Sequence, residues 1–83
     1  MVTNKEVQDH IANEFYALRL ELDLNQRELG EKLGISQTRI SDFENGRIKF
    51  SASTLFLFCA KLGVDVNRFN LPAIQAERKS VEV

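Results

Sequence analysis

The chain has 83 residues, 43% apolar and 28% charged, with one Pro and four Gly; the expectation from this make-up is one small, mostly helical domain without a second, ligand-sensing one. Its single cysteine, Cys59, excludes an internal disulfide and any multi-cysteine metal site, and it suits a reducing cytoplasm. A net charge of −1 would argue against a nucleic-acid partner if it were evenly spread, because binding phosphates takes a basic face.

The charge is not evenly spread. Residues 1–25 hold Lys5 and Arg19 against Glu6, Asp9, Glu14, Glu21 and Asp23, a net of −3, so the remainder of the −1 chain is at +2. The opening MVTNKEVQDH lacks signal-peptide character and no apolar run approaches membrane-spanning length; the expectation is a soluble, cytoplasmic protein. Thr3 followed by Glu6 is a capping-box pattern, and Val7, Ile11, Phe15, Leu18 and Leu22 then recur at helical spacing, which predicts a first helix over 4–22.

Asn25 and Glu28 repeat the cap-and-acid pattern and predict a second helix over 26–33. Gly34 stands where that helix must end in a left-handed conformation, and Ser36 is placed to cap a third helix, over 37–45, that stops at Gly46. Leu29, Leu33, Ile35, Ile40 and Phe43 give these two helices apolar faces that fold together at the sharp turn 34–36, a helix-turn-helix. With Ile40 and Phe43 inward, the 3.6-residue period leaves Gln37, Thr38, Ser41, Asp42 and Asn45 on the opposite face.

A loop is expected over 47–53, then a fourth helix over 54–61. Leu55, Phe56, Leu57, Phe58, Cys59, Ala60 and nearby Leu62 make that helix apolar all round, which predicts burial on every side. A small monomer covers such a helix poorly. Phe56, Leu57, Val66 and Phe69 are therefore expected at a subunit interface formed with a short fifth helix over 65–69. Residues 71–83, with Pro72 and a polar end, read as a tail or as an arm across a dimer, outside a domain spanning 1–70.

Gln26, Leu29, Leu33, Gly34, Ile35, Ile40 and Phe43 resemble, position for position, the Cro and lambda-repressor-like family of helix-turn-helix regulators, also called the xenobiotic-response-element family, and the resemblance runs from about residue 15 to residue 69. It implies an all-α, five-helix DNA-binding domain with the helix-turn-helix at helices 2 and 3. It also implies that Gln37, Thr38 and Asp42 read bases in the major groove, where Gln suits adenine, Thr a thymine methyl and Asp a cytosine amine. Arg39 and Ser41 border that face. Asp42 has an alternative role as an intrahelical partner of Arg39.

By the same resemblance Gln26 and Asn45 grip phosphates, with Arg47 and Lys49 adding charge beyond, and Arg19 and Glu44 form a partly buried ion pair. Two positions depart from the family: Gly30 where Ala is usual, which fits a close approach of helices 2 and 3, and Leu57 where polar residues are usual. The turns of helix 1 bearing Val7 and Ile11 also start earlier than in the family, either to meet a neighbour or to lengthen the core.

The expected function is a dimeric, sequence-specific DNA-binding regulator, a repressor of phage, plasmid or restriction-modification type, bound to a two-fold symmetric operator. The alternative is a protein-interaction module such as an antitoxin or adaptor. His10 and Cys59 are single and far apart, and neither a glycine-rich phosphate loop nor a metal-ligand spacing is present. No enzyme activity, cofactor or metal is expected.

Overall fold

Thr3 opens the first helix, α1 (Asn4–Glu21), by accepting a hydrogen bond from the Glu6 N–H at 3.1 Å. The helix stops one residue before the predicted end. Leu22 takes the cap position and Asp23 turns to φ 56°, so the chain reverses toward the next cap within four residues. The computed structural model describes residues 2–69; the expected tail or arm over 71–83 lies outside them.

Three further helices follow: α2 (Gln26–Leu33), α3 (Gln37–Glu44) and α4 (Ala52–Leu62). No strand occurs among the described residues, and the fold is all-α. The expected fifth helix is a single 3₁₀ turn, Val66–Phe69, in which Asp65 Oδ1 accepts from the Asn67 N–H at 2.9 Å. α4 starts two residues earlier than predicted because Ser51 caps it, accepting from the Thr54 N–H at 3.1 Å.

The core is a cluster of four phenylalanine rings, Phe15 of α1, Phe43 of α3, Phe50 of the following loop and Phe58 of α4, each in contact with the other three at centroid distances from 4.6 to 6.5 Å. Offset and edge-on pairs of this kind are favoured by the ring quadrupoles beyond their buried area. Ile11, Ala12, Leu18, Leu29, Leu33, Ile40, Cys59 and Phe69 complete it. Burial, with the Asp65 carboxylate adding to it, pushes the Cys59 thiol above its ordinary pKa, the opposite of what a nucleophilic thiolate needs.

α4 is not buried on every side. A helix packed against the core along one side hides only a stripe, here Phe58 and Cys59 with Leu55 and Leu62 half-covered, while Phe56 and Leu57 stay 57% and 52% exposed. Phe69, expected at a subunit interface, instead fills the chain's own core, and Val66 packs half-buried against it. No helix among the described residues is long and apolar enough to cross a membrane.

Candidate nucleic-acid interface

The α2–turn–α3 unit is held by local chemistry. Asn25 and Glu28 form a reciprocal capping box, with the Glu28 N–H donating to Asn25 Oδ1 at 2.8 Å and the Asn25 N–H to Glu28 Oε1 at 2.9 Å. Gly34 takes φ 75° at the end of α2, a conformation that costs a residue bearing Cβ but not glycine. Ser36 then caps α3, its Oγ accepting from the Arg39 N–H at 3.2 Å.

Gly30 explains how closely α2 and α3 approach. A Cβ at this position would lie 2.6 Å from the Ile35 carbonyl oxygen, which belongs to the turn backbone and cannot swing aside. The Ile35 N–H donates to Gly30 O at 2.9 Å, so the turn folds directly onto the glycine. Lys61 of α4 fastens the same corner from outside by donating from Nζ to Leu33 O at 2.9 Å.

This packing puts Ile40 and Phe43 fully inside and turns the other face of α3 outward: Gln37, Thr38, Arg39 and Asn45 are exposed, and Ser41 and Asp42 half-buried. Gln37 shares a shallow depression of about 440 Å³ with Arg19, Asn25, Gln26 and Arg27. The start of α3 and the start of α2 therefore open onto one surface. Arg47 and Lys49, just past α3, are exposed as well.

Several side chains on this surface are already engaged. Asp42 pairs with Arg47, Nη1 to Oδ1 at 3.4 Å, rather than with Arg39, whose guanidinium sits 5.9 Å from the Phe43 ring centre. The carboxylate therefore meets a cation on the loop it precedes. Asn45 folds back on α3, donating from Nδ2 to Ser41 O at 2.9 Å and to Ser41 Oγ at 3.2 Å. Gln26 donates from Nε2 to Glu44 Oε1 at 3.1 Å, which uses one of its two amide hydrogens.

Glu44 is also the partner of Arg19. Arg19 Nε donates to Glu44 Oε2 at 2.7 Å and Nη2 to Oε1 at 3.2 Å, and Nη1 donates to Leu24 O at 3.0 Å. These hydrogen bonds to Glu44 hold the guanidinium pKa above its ordinary value. Arg19 thus joins α1, the α1–α2 link and the end of α3, with Tyr16 lying 5.2 Å from it.

Two long-range contacts were not anticipated. Arg68 of the 3₁₀ turn donates to Glu21 at 2.8 and 3.2 Å and to Glu14 at 3.3 Å, which neutralises part of the acidic first helix. Gln8 of α1 forms a double hydrogen bond with the Phe50 peptide, Nε2 to O at 2.8 Å and N–H to Oε1 at 2.7 Å. Neither follows from periodicity, since the partners lie 42 or more residues apart, as does Glu21 from Arg68.

Comparison with known proteins follows the same outline. A helix-turn-helix family model matches residues 15–69. The ImmF control region 10 kDa protein of Bacillus phage phi105 is 39% identical over 57 residues, which span 69% of this chain and 63% of the phage protein; the chain thus matches less than two thirds of that relative's length. The crystal structure of the clp gene regulator ClgR from C. glutamicum superposes with a TM-score of 0.69 at 25% identity, over 76% of this chain and 82% of that one. A hypothetical transcription factor from Neisseria, NHTF, shares the fold with a TM-score of 0.72 at 22% identity, over 94% of this chain and 90% of its own.

Proposed function

This chain belongs to the Cro and lambda-repressor-like helix-turn-helix family of DNA-binding transcription regulators, and from that premise we propose that it is a dimeric repressor of a phage-type operon. One α3 helix enters the major groove of each half-site, and the half-sites lie about 34 Å apart along the duplex. Gln37 and Thr38 read bases at the start of the helix, Asp42 reads further along it, and Arg39 and Ser41 border the contact. Gln26, Asn45, Arg47 and Lys49 hold phosphates.

The observation that carries this reading is the joint exposure of Gln37 and Thr38 on a helix whose other face is buried at Ile40 and Phe43. Gly30 and Gly34 fix that helix against α2, so little order has to be gained on binding. The free amide hydrogen of Gln26 points to a phosphate role alongside its bond to Glu44, and the Arg19–Glu44 pair supports the wall behind it. Asp42 is partly neutralised by Arg47, which lowers the repulsion a carboxylate meets near phosphates.

Dimerisation draws support from Phe56 and Leu57, a pair of large apolar side chains more than half exposed on α4. Repression needs only occupancy of a promoter, and the phage control-region relative fits an operon of that kind. A reading as a protein-interaction module is favoured by Tyr16 and Leu20, 46% and 53% exposed one turn apart on acidic α1.

Retardation of the gene's own upstream DNA separates the two. A repressor retards that fragment selectively, and its affinity falls steeply as salt rises. An interaction module shows feeble binding that does not distinguish the fragment from a scrambled duplex.

A further inference from the structure

α1 starts at Asn4, whereas the matched family region starts at residue 15, so about three turns of the helix lie ahead of the matched region. Gln8 lies in these turns. Its side-chain amide meets the Phe50 peptide as one strand meets another, donating to the carbonyl at 2.8 Å and accepting from the N–H at 2.7 Å. A primary amide offers donor and acceptor side by side, as this pairing requires.

The clasp closes the far end of the segment that carries Arg47 and Lys49. Its near end is fixed by the Arg47 and Ile48 N–H groups, which both donate to Asp42 O, at 2.8 and 3.3 Å. Between these anchors only Ile48 has a side chain turned partly inward, and Arg47 and Lys49 are exposed. With its two ends held, the segment has few paths available.

We propose that Gln8 is a positioning residue for DNA binding: by clasping the Phe50 peptide it sets the course of residues 47–49 and holds Arg47 and Lys49 ready for the phosphate backbone. This rests on the reading of those two side chains as phosphate contacts. The first turns of α1 thereby act on the nucleic-acid surface without touching it. A clasp that served packing alone would alter stability and leave the charge contacts as they were.

The test uses the full chain and a duplex from the gene's own upstream region, titrated by fluorescence anisotropy at salt concentrations from about 50 to about 300 mM. Gln8→Met keeps the length of the side chain and removes the amide; Ile11→Val is a core control on the same helix. For Gln8→Met the expected result is an affinity about three- to ten-fold weaker, with a slope of log affinity against log salt flatter by about one to two, since each lost phosphate contact removes about one. Amide exchange at Phe50 becomes faster, and Ile11→Val keeps the wild-type slope.

A wild-type slope in Gln8→Met, with the Phe50 amide exchanging fast, overturns the proposal. Should Gln8→Met fail to fold, Gln8→Asn, one methylene too short to span the peptide, provides the same test. A wild-type chain whose binding to the duplex does not depend on salt overturns the underlying DNA reading, and the role of Gln8 with it.

Discussion

Arg19 and Glu44 meet as a fork on a carboxylate, at 2.7 and 3.2 Å, with their side chains only 11% and 6% exposed. A pair so enclosed gains little over two well-packed apolar groups, because both charges were taken out of water, but a single survivor is costly. Arg19→Met alone is expected to destabilise the fold by about 3 kcal/mol. Arg19→Met combined with Glu44→Leu should recover most of that loss. Urea denaturation of the three proteins measures the difference, and equal costs for the single and the double variant would contradict it.

Gly30 sets two effects of opposite sign against each other. Alanine in a helix interior is favoured over glycine by about 1 kcal/mol, yet its Cβ would stand 2.6 Å from the Ile35 carbonyl oxygen. That contact is with backbone, so the turn must move, at a typical overpacking cost of about 1 to 3 kcal/mol. Gly30→Ala should therefore lower stability and weaken DNA binding further by tilting α3. A stabilised variant in a thermal melt would show that the turn yields easily.

The exposed pair on α4 tests the oligomeric state. Phe56→Asp and Leu57→Asp replace side chains that touch little within the subunit, so folding should be almost unchanged, while a buried unpaired carboxylate at an interface is strongly unfavourable. Sedimentation should give a dimer for the native chain and a monomer for each variant. A dimer persisting in both variants would move the interface elsewhere.

Arg68 gives the fold a dependence on acid. Its hydrogen bonds hold the Glu21 carboxyl below the ordinary value of 4.5, so the stabilisation from this pair is fully present above that value and fades as pH falls through the lower folded one. The pair is solvent-exposed and its contribution is small. The melting temperatures of the native chain and Arg68→Met should differ at neutral pH and converge in acid. A gap that is constant with pH would assign Arg68 to packing against Phe69 instead.

The parts of this fold that were legible in the amino-acid sequence are those whose causes are local. The capping box at Asn25 and Glu28, the left-handed Gly34 and the cap at Ser36 each act within four residues, and the boundaries of α2 follow from them. α4 was harder, because its composition is apolar on all faces and composition does not say which face a neighbour covers; Phe56 and Leu57 were left over. Phe50 lay in an expected loop, yet its ring completes the aromatic cluster.

Within the candidate interface, the outward face of α3 followed from helical period. What the period does not convey is which side chains are already occupied. Asp42 turns to Arg47 and Gln26 to Glu44 because chain reversal brings them together. The Arg19–Glu44 pair was expected through family resemblance alone, since no short-range pattern links residues 25 apart.

The most direct measurement is the ratio of affinities for the gene's upstream duplex and a scrambled duplex, at one salt concentration, for the native chain and the double variant Gln37→Ala, Thr38→Ala. Each good base contact discriminates by about 1 to 3 kcal/mol. The ratio is therefore expected to collapse in the double variant by a factor of tens or more, while the melting temperature and self-association hold. An undiminished ratio would contradict base reading by these two residues.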